Sequence, residues 1–582
     1  METSYKKNDN KLLFNSMMDI SGINLEKVQN YNPIYERFFS LNETNFNAIN
    51  LNHVNLLKLV NKKNGNNKYT CEIHFEKQQE TQKKQVFFKQ SPLIDPIQYI
   101  VGKLDMSDID LTELPQFNNS TKKISNPNNS AYVDGFFSYL SSQLLNHNQF
   151  QHGLDHYGTF TAIKNDYYVN VEDDLEYIVE SVFFHENKDV LFKLDNNFHD
   201  ELINFDTRSN KKPILFKNDV VTDNVIVDRD SSILNLSDID DLTKIDHLFS
   251  DSQNNNAEME LLFRSDISFN TTKKTDESSS GCSSNSSNTH IDESFSSDED
   301  SCSETGTDSD THLGSDAGSN SYASGTTATE DKTNVILPSY PINLICLECC
   351  EHTFESLILK DELTDAEWES AILQIIFTLI TYQKVFHFTH NDLHTSNIMY
   401  TTTDKPFLYY KFNNKHYKVQ THGRIFKIID FGRAIYNFKG QLICSDSFHQ
   451  KGDAATQYNC EPYFNEQKPR LEPNYSFDLC RLGCSIFDFI IDDISAIDKI
   501  RSPIKKLMIS WCYDDKGRNI LYKTNGKERY PEFKLYKMIA RTVHNYLPQN
   551  IVNKDIFKKY IVSKKQIKSK TIMNIDGYDC CI

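Results

Sequence analysis

The stretch HFTHNDLHTSNIMY (387–400) carries Asp392 two residues after His390 and five before Asn397, and RIFKIIDFGRA (424–434) ends an apolar run at Asp430, Phe431 and Gly432. A single Asp or Asn in a loop is most often a turn residue or a helix cap. Two carboxylates and an amide in a fixed order can do more. Phosphoryl transfer from a nucleotide needs one carboxylate to orient the acceptor hydroxyl, and hard oxygen ligands for a Mg²⁺ that bridges the phosphates. Asp392 suits the first task, and Asn397 and Asp430 suit the second.

These loops need elements to hold them. Thr364 and Glu367 have the spacing of a capping box, and Trp368, Ile372, Ile375, Ile376 and Leu379 follow at three- and four-residue steps, which predicts a helix that delivers the chain to HFTHNDLHTSN. Upstream, VNLLKLV (54–60), an Asn64-Gly65 turn and the alternating YTCEIHF (69–75) predict a β-hairpin, with QVFFKQ (85–90) as a third meandering strand. A helix is expected near 130–146, a strand pair in LDHYGTFTAIKNDYYVNV, and a buried strand in PINLICLECC. A strand-rich front half followed by helices describes an α+β fold of two lobes.

The order His390, Asp392, Asn397, then Asp430-Phe431-Gly432, resembles the protein kinase superfamily, with its H-R-D-x-x-x-x-N catalytic loop and D-F-G metal loop. NYSFDLCRLGCSIFDFI (474–490) is similar to that family's central helix, in which Asp478 would brace the catalytic loop from below. The resemblance implies a two-lobed kinase fold, ATP and Mg²⁺ as cofactors, and a protein hydroxyl as acceptor. It implies Asp392 as the orienting carboxylate and Asn397 and Asp430 as metal ligands. Lys89, on the third strand, would grip the nucleotide phosphates, with Asp134 as its acidic partner. Glu348 to Cys350 would link the lobes beside the nucleotide.

The departures from the family pattern are specific. Asn391 stands where the family has Arg, which removes the usual sensor of an activation-loop phosphate. His394 replaces a Lys beside the transferred phosphate, and a neutral imidazole brings no full charge. The D-L-H-x-x-N form is similar to haspin-like kinases and to small-molecule kinases. The expected glycine-rich loop offers only NKKNGNNK, with Gly65, and Phe87 shares a strand face with Lys89 where the family has a small residue. No A-P-E motif closes the segment 433–475, for which Glu461-Pro462 and Lys468-Pro469 are the candidate substitutes.

The chain has 582 residues and a formal charge of −19, so general attraction to nucleic acid or to an anionic membrane is not expected. Thirteen scattered Cys read as reduced intracellular thiols. No signal peptide is evident, and the longest apolar run, AILQIIFTLI (371–380), is too short to span a bilayer. From about 275 to 330 the chain is rich in Ser and acid with no Lys or Arg, which predicts disorder. Acids follow Ser296, Ser297 and Ser301 at the third position, as an acidophilic kinase requires. The domain layout expected is a tail at 1–30, an N-lobe at 31–174, an insertion at 175–335, the end of the N-lobe with the hinge and C-lobe at 336–560, and a tail at 561–582. The basic stretch 553–570 reads as a solvated helix face. The Asn- and Lys-heavy composition, the insertion and NPIYERFFSLNET near the start also resemble divergent kinase-like proteins of giant DNA viruses, which implies host cytoplasm or virion. The reading is an ATP- and Mg²⁺-dependent serine/threonine protein kinase, with a pseudokinase scaffold and a small-molecule phosphotransferase as alternatives. Substrate and oligomeric state are open.

Overall fold

Seven antiparallel strands form a sheet whose central member arrives late in the chain. The computed structural model describes residues 4–51, 53–104, 110–118, 123–195, 333–360, 363–491, 494–567 and 571–581. The acidic stretch 275–330, with Ser296, Ser297 and Ser301, lies outside the described residues. So does most of the region from 196 onward that was read as insertion.

The described residues form a mixed α+β structure. Its sheet runs β1 (Leu25–Gln29), β5 (His156–Asn170), β6 (Asn334–Glu348), β4 (Glu80–Pro92), β3 (Lys68–Phe75), β2 (Asn55–Gly65), and the short strand Lys193–Leu194 also pairs with β6. Neighbours are antiparallel throughout. The β2–β3 hairpin turns through Asn67 at φ 53°, where Asn tolerates the left-handed conformation. β6 is covered on both faces, so Ile342, Leu344, Ile345 and Cys346 are all fully buried. This is why its sequence reads as an unbroken apolar run rather than an alternation.

The stretch expected to form a strand pair at 154–171 carries one strand, β5. Asn165-Asp166 is a turn signal, and Asp166 does adopt φ 51°. The chain nevertheless continues, because Asn165 pairs with Ser339 and Tyr167 with Leu337 on β6. Cross-strand pairing on both edges overrides the local preference, leaving a kink. The residues read as an N-terminal tail supply a helix, Lys11–Asp19, and strand β1.

Helix α1 (Ser130–Asn148) packs with its residues from Ala131 to Leu144 buried. Asn129 caps it by accepting from the Ala131 N–H, and Gln149 ends it in the left-handed conformation. Helix α2 (Asp365–Phe386) starts at the Thr364–Glu367 capping box and stops at His387, φ 50°. Strands β7 (Ile398–Thr402) and β8 (Arg424–Ile428) pair antiparallel and carry the two loops of interest. Helices α3 (Phe477–Ile490) and α4 (Phe533–Thr542) lie beyond. The basic stretch is not one solvated helix. It breaks into 3-10 turns at Asp555–Tyr560 and Lys564–Gln566 around a two-residue strand, and it docks on α2 through Lys559 and Tyr560, each 2.6 Å from Glu369 Oε2. Residues 571–581 are packed too: Met573 and Asn574 pair with the strand Phe407–Phe412, and Lys384 Nζ donates to the Ile575 and Asp576 carbonyls. Among the described residues no helix is long and apolar enough to cross a membrane.

His152 ties the loop after α1 to the other half of the fold. Its Nδ1–H donates to the Phe426 carbonyl at 2.8 Å, and its Nε2 accepts from the Tyr410 hydroxyl at 2.7 Å. Burial, reinforced by Lys427, lowers its pKa to about 4. In the unfolded chain the ring takes a proton near pH 6.5, so its contribution to stability is present above that pH and is lost as pH falls toward 4. The destabilisation caused by His152→Gln, measured by urea denaturation, should therefore be largest at pH 7 and shrink toward pH 4. A cost independent of pH would mean that the ring is not held neutral.

Candidate functional site

On β4 the side chains alternate, so that Val86 and Phe88 enter the core while Phe87 and Lys89 share the opposite, half-buried face. Lys89 Nζ lies 2.7 Å from Asp134 Oδ2 and 2.8 Å from Asp430 Oδ1. One ammonium thus joins a strand, a helix and a loop. The other Asp134 oxygen accepts the Phe431 N–H at 2.9 Å. Burial pushes the Asp134 carboxyl above its usual range; Lys89 opposes this, while the Asp430 charge adds to it. The helix carrying Asp134 is itself anchored, because Asp446 Oδ1 accepts from the Ser130 N–H at 2.9 Å at its first turn.

The two loops form one assembly. His390 Nε2–H donates to the Ile429 carbonyl at 2.9 Å, and the Ile429 N–H donates to the Asn397 carbonyl at 3.0 Å. Beneath them, Asp478 on α3 is fully buried and accepts the backbone N–H groups of both His390 and Asn391 at 2.9 Å. Asn391 and Asp430 sit at φ 66° and 64°, left-handed conformations that Asn and Asp adopt more readily than other non-glycine residues. Asn397 Nδ2 donates to the Asp392 carbonyl at 3.0 Å. With that nitrogen committed, the amide oxygen is the end left for a ligand.

Asn391 is wholly buried and neutral. It donates to the Arg433 carbonyl at 2.9 Å and accepts from the Tyr458 hydroxyl at 2.8 Å, so uncharged bonds tie down the segment that follows Asp430. Asp392 Oδ1 accepts from the Tyr536 hydroxyl at 2.7 Å and Oδ2 pairs with Arg433 Nη1 at 3.2 Å; Arg433 also pairs with Asp453 at 2.6 Å. Burial alone would raise the Asp392 pKa, but Arg433, His394, Arg481 and the Tyr536 hydroxyl together hold it well below the carboxylate range. Burial, helped by Arg481 and His390, lowers His394 to about 4, so it stands beside Asp392 as a neutral imidazole.

Of the expected linker residues, Glu348 closes β6, and its Oε1 is engaged. Its carboxylate pairs with Lys427 at 2.5 Å and accepts the Asp155 N–H at 2.7 Å, and its own N–H donates to the Asp155 carbonyl. Cys350 is buried in an apolar cluster with Leu154, Ile345, Leu347, Met399 and Ile429, and burial, with the nearby Glu348 charge adding to it, pushes its thiol up. The Glu348 Oε1 is thus taken up by the ion pair and the Cys350 side chain by packing. A cavity of about 430 Å³ lined by Asn55, Lys77, Asn146, Gln151 and Lys405 lies at the other end of α1 and includes none of the site residues. Among the described residues no group of three His, Cys, Asp or Glu side chains could hold a metal ion.

Sequence reasoning missed Arg433, Tyr458, Asp453, Arg481 and Tyr536. Arg433 directly follows the Asp-Phe-Gly turn and could have been suspected. Tyr536 is 144 residues from Asp392, and nothing local marks it.

No family model matches the chain. A segment of 103 residues is 31% identical to a Dictyostelium discoideum protein named as a probable serine/threonine-protein kinase; it covers 17% of this chain and 8% of that protein. The chain therefore spans a small fraction of the length of the curated relative that it matches.

Asp478→Ala leaves two buried N–H groups without an acceptor, at a cost of about 3 kcal/mol. Asp478→Asn retains one amide oxygen and should lose roughly half of that. Urea denaturation checks the pair, and equal stability of wild type and Asp478→Ala would show that these bonds do not hold the loop.

Proposed function

We propose that this chain is an ATP- and Mg²⁺-dependent serine/threonine protein kinase with a two-lobed fold of the protein-kinase kind. The observation that carries the reading is the bridging of Asp134 and Asp430 by Lys89, next to a loop that presents Asp392 and Asn397 and is braced by Asp478. The sheet order β2-β3-β4-β6-β5, with α1 facing it and helices following, supports the fold assignment. The partial likeness to a probable serine/threonine-protein kinase supports the reaction class.

In this reading Asp392 accepts a hydrogen bond from the acceptor hydroxyl at Oδ2 and directs its lone pair toward the γ-phosphate. Lys89 contacts the nucleotide phosphates from the sheet side. Asn397 Oδ1 and the Asp430 carboxylate are the oxygens suited to hold Mg²⁺, which keeps most of its shell as water and phosphate and so needs only one or two protein ligands. When bound, the metal neutralises charge on the phosphates. His394, being neutral, adds a hydrogen bond rather than a charge, which gives a modest rate.

A scaffold reading has one specific observation in its favour: both oxygens of Asp392 already have partners, Tyr536 and Arg433. Transfer of radiolabelled γ-phosphate from Mg·ATP to casein or histone separates the two. Wild type should transfer, and Asp392→Ala and Asp430→Ala should each lose at least about 10²-fold. Failure of the wild type to transfer, together with no thermal shift from Mg·ATP, would favour the scaffold. Because Asn391 bonds neutrally to Tyr458 and Arg433, pretreatment with a protein phosphatase should leave the rate unchanged, and a fall on dephosphorylation would assign a phosphate a role that this segment does not need.

A further inference from the structure

Helix α3 reaches the Asp392 loop twice. Asp478 holds the loop's backbone, and Arg481, three residues on and hence on the same helix face, reaches its side chain indirectly. Arg481 Nε donates to the Tyr536 hydroxyl at 2.7 Å, and that hydroxyl donates to Asp392 Oδ1 at 2.7 Å. Arg481 and Tyr536 are each only 2% exposed, so neither bond is shared with bulk water. The guanidinium also lies 5.0 Å from the Tyr536 ring centroid, and that of Arg433 lies 5.7 Å from it. The phenol thus lies beside two guanidinium groups, and its hydroxyl proton is directed at Asp392 Oδ1.

A carboxylate on a short side chain turns readily about its last bond, and an acceptor hydroxyl needs one oxygen held in a fixed direction. We propose, building on the phosphotransfer reading above, that Arg481 and Tyr536 are positioning residues that fix the Asp392 carboxylate by its Oδ1 and leave Oδ2, flanked by Arg433, as the oxygen that meets the acceptor. The chain of donors runs in one direction, from guanidinium to phenol to carboxylate, so each bond polarises the next. Helix α4, which carries Tyr536 and has no counterpart among the motifs that mark the site, thereby joins α3 in setting the geometry of the reaction. Neither residue touches the nucleotide side, where Lys89 and Asp430 sit.

The test uses the full chain with Mg·ATP and casein. Tyr536→Phe keeps the ring and its stacking under both guanidinium groups and removes only the hydroxyl. It should lower kcat about tenfold while KM for ATP stays within about twofold. Arg481→Met should match it, Arg481→Lys should recover most of the rate, and the double variant Tyr536→Phe/Arg481→Met should be no worse than either single, as for one relay. A purely structural role would lower active protein concentration equally in all variants, with no recovery by Lys at equal folded fraction. If wild type transfers phosphate, Asp392→Ala does not, and Tyr536→Phe matches wild type in kcat, the positioning role is wrong while the phosphotransfer reading stands. If wild type and Asp392→Ala are alike inactive, the phosphotransfer reading falls and this role falls with it. Should Tyr536→Phe fail to fold, the Arg481→Met and Arg481→Lys pair decides, since a rate that follows neither the loss nor the return of the donor overturns the relay.

Discussion

A single ammonium group between two carboxylates is the constraint around which the described structure is organised. Lys89 can meet Asp134 and Asp430 together only if β4, α1 and the loop after β8 are in register at once. Three largely desolvated charges are costly to assemble, and removing one partner of such a set strands another, at about 3–5 kcal/mol. The surrounding contacts reduce that risk: the second Asp134 oxygen is satisfied by the Phe431 N–H, and α1 is fixed at its start by Asn129 and Asp446. The cation therefore acts as a gauge of whether the sheet and the loops are correctly docked.

Around that charged centre, much of the holding is done by groups without charge. Asn391, Tyr458 and the backbone of Arg433 form a buried hydrogen-bonded knot in which both ends of the Asn391 amide have partners. Such a knot is insensitive to salt and to the presence of a counter-ion, unlike an ion pair near the surface. The charged contacts are concentrated at Asp392 and Asp453, both reached by Arg433, so one guanidinium joins the loop to the segment that follows it.

The parts of the site that could be seen in the sequence are those whose chemistry and local pattern coincide. Asp392, Asn397 and Asp430 stand out by type and order, Asp478 by its place in the helical stretch 474–490, and Lys89 by its place on the third strand of the meander. The Thr364–Glu367 box marked the beginning of α2 because a cap is a local interaction. What escaped notice depends on partners distant in the chain. Tyr536 means nothing until α4 folds against α3, the Glu348 partner Lys427 has no local mark, and Asn165-Asp166 reads as a turn until β1 and β6 pair on either side. Asp134 was visible only as the lone acid in its helix, since its role comes from what it faces.

The position of β6 has a consequence for synthesis. The strand sits between β4 and β5, yet residues 171–333 separate it from β5 along the chain. Bridging so long a connection adds little entropy cost at equilibrium, since that cost grows only with the logarithm of length. In time the cost is real: at about 5–20 residues per second, a ribosome leaves the facing edges of β4 and β5 unpaired for roughly 8–30 s before β6 emerges. An open edge of that kind invites pairing with other nascent chains. The yield of folded protein should therefore be governed by translation speed and chaperone supply as much as by the stability of the finished fold.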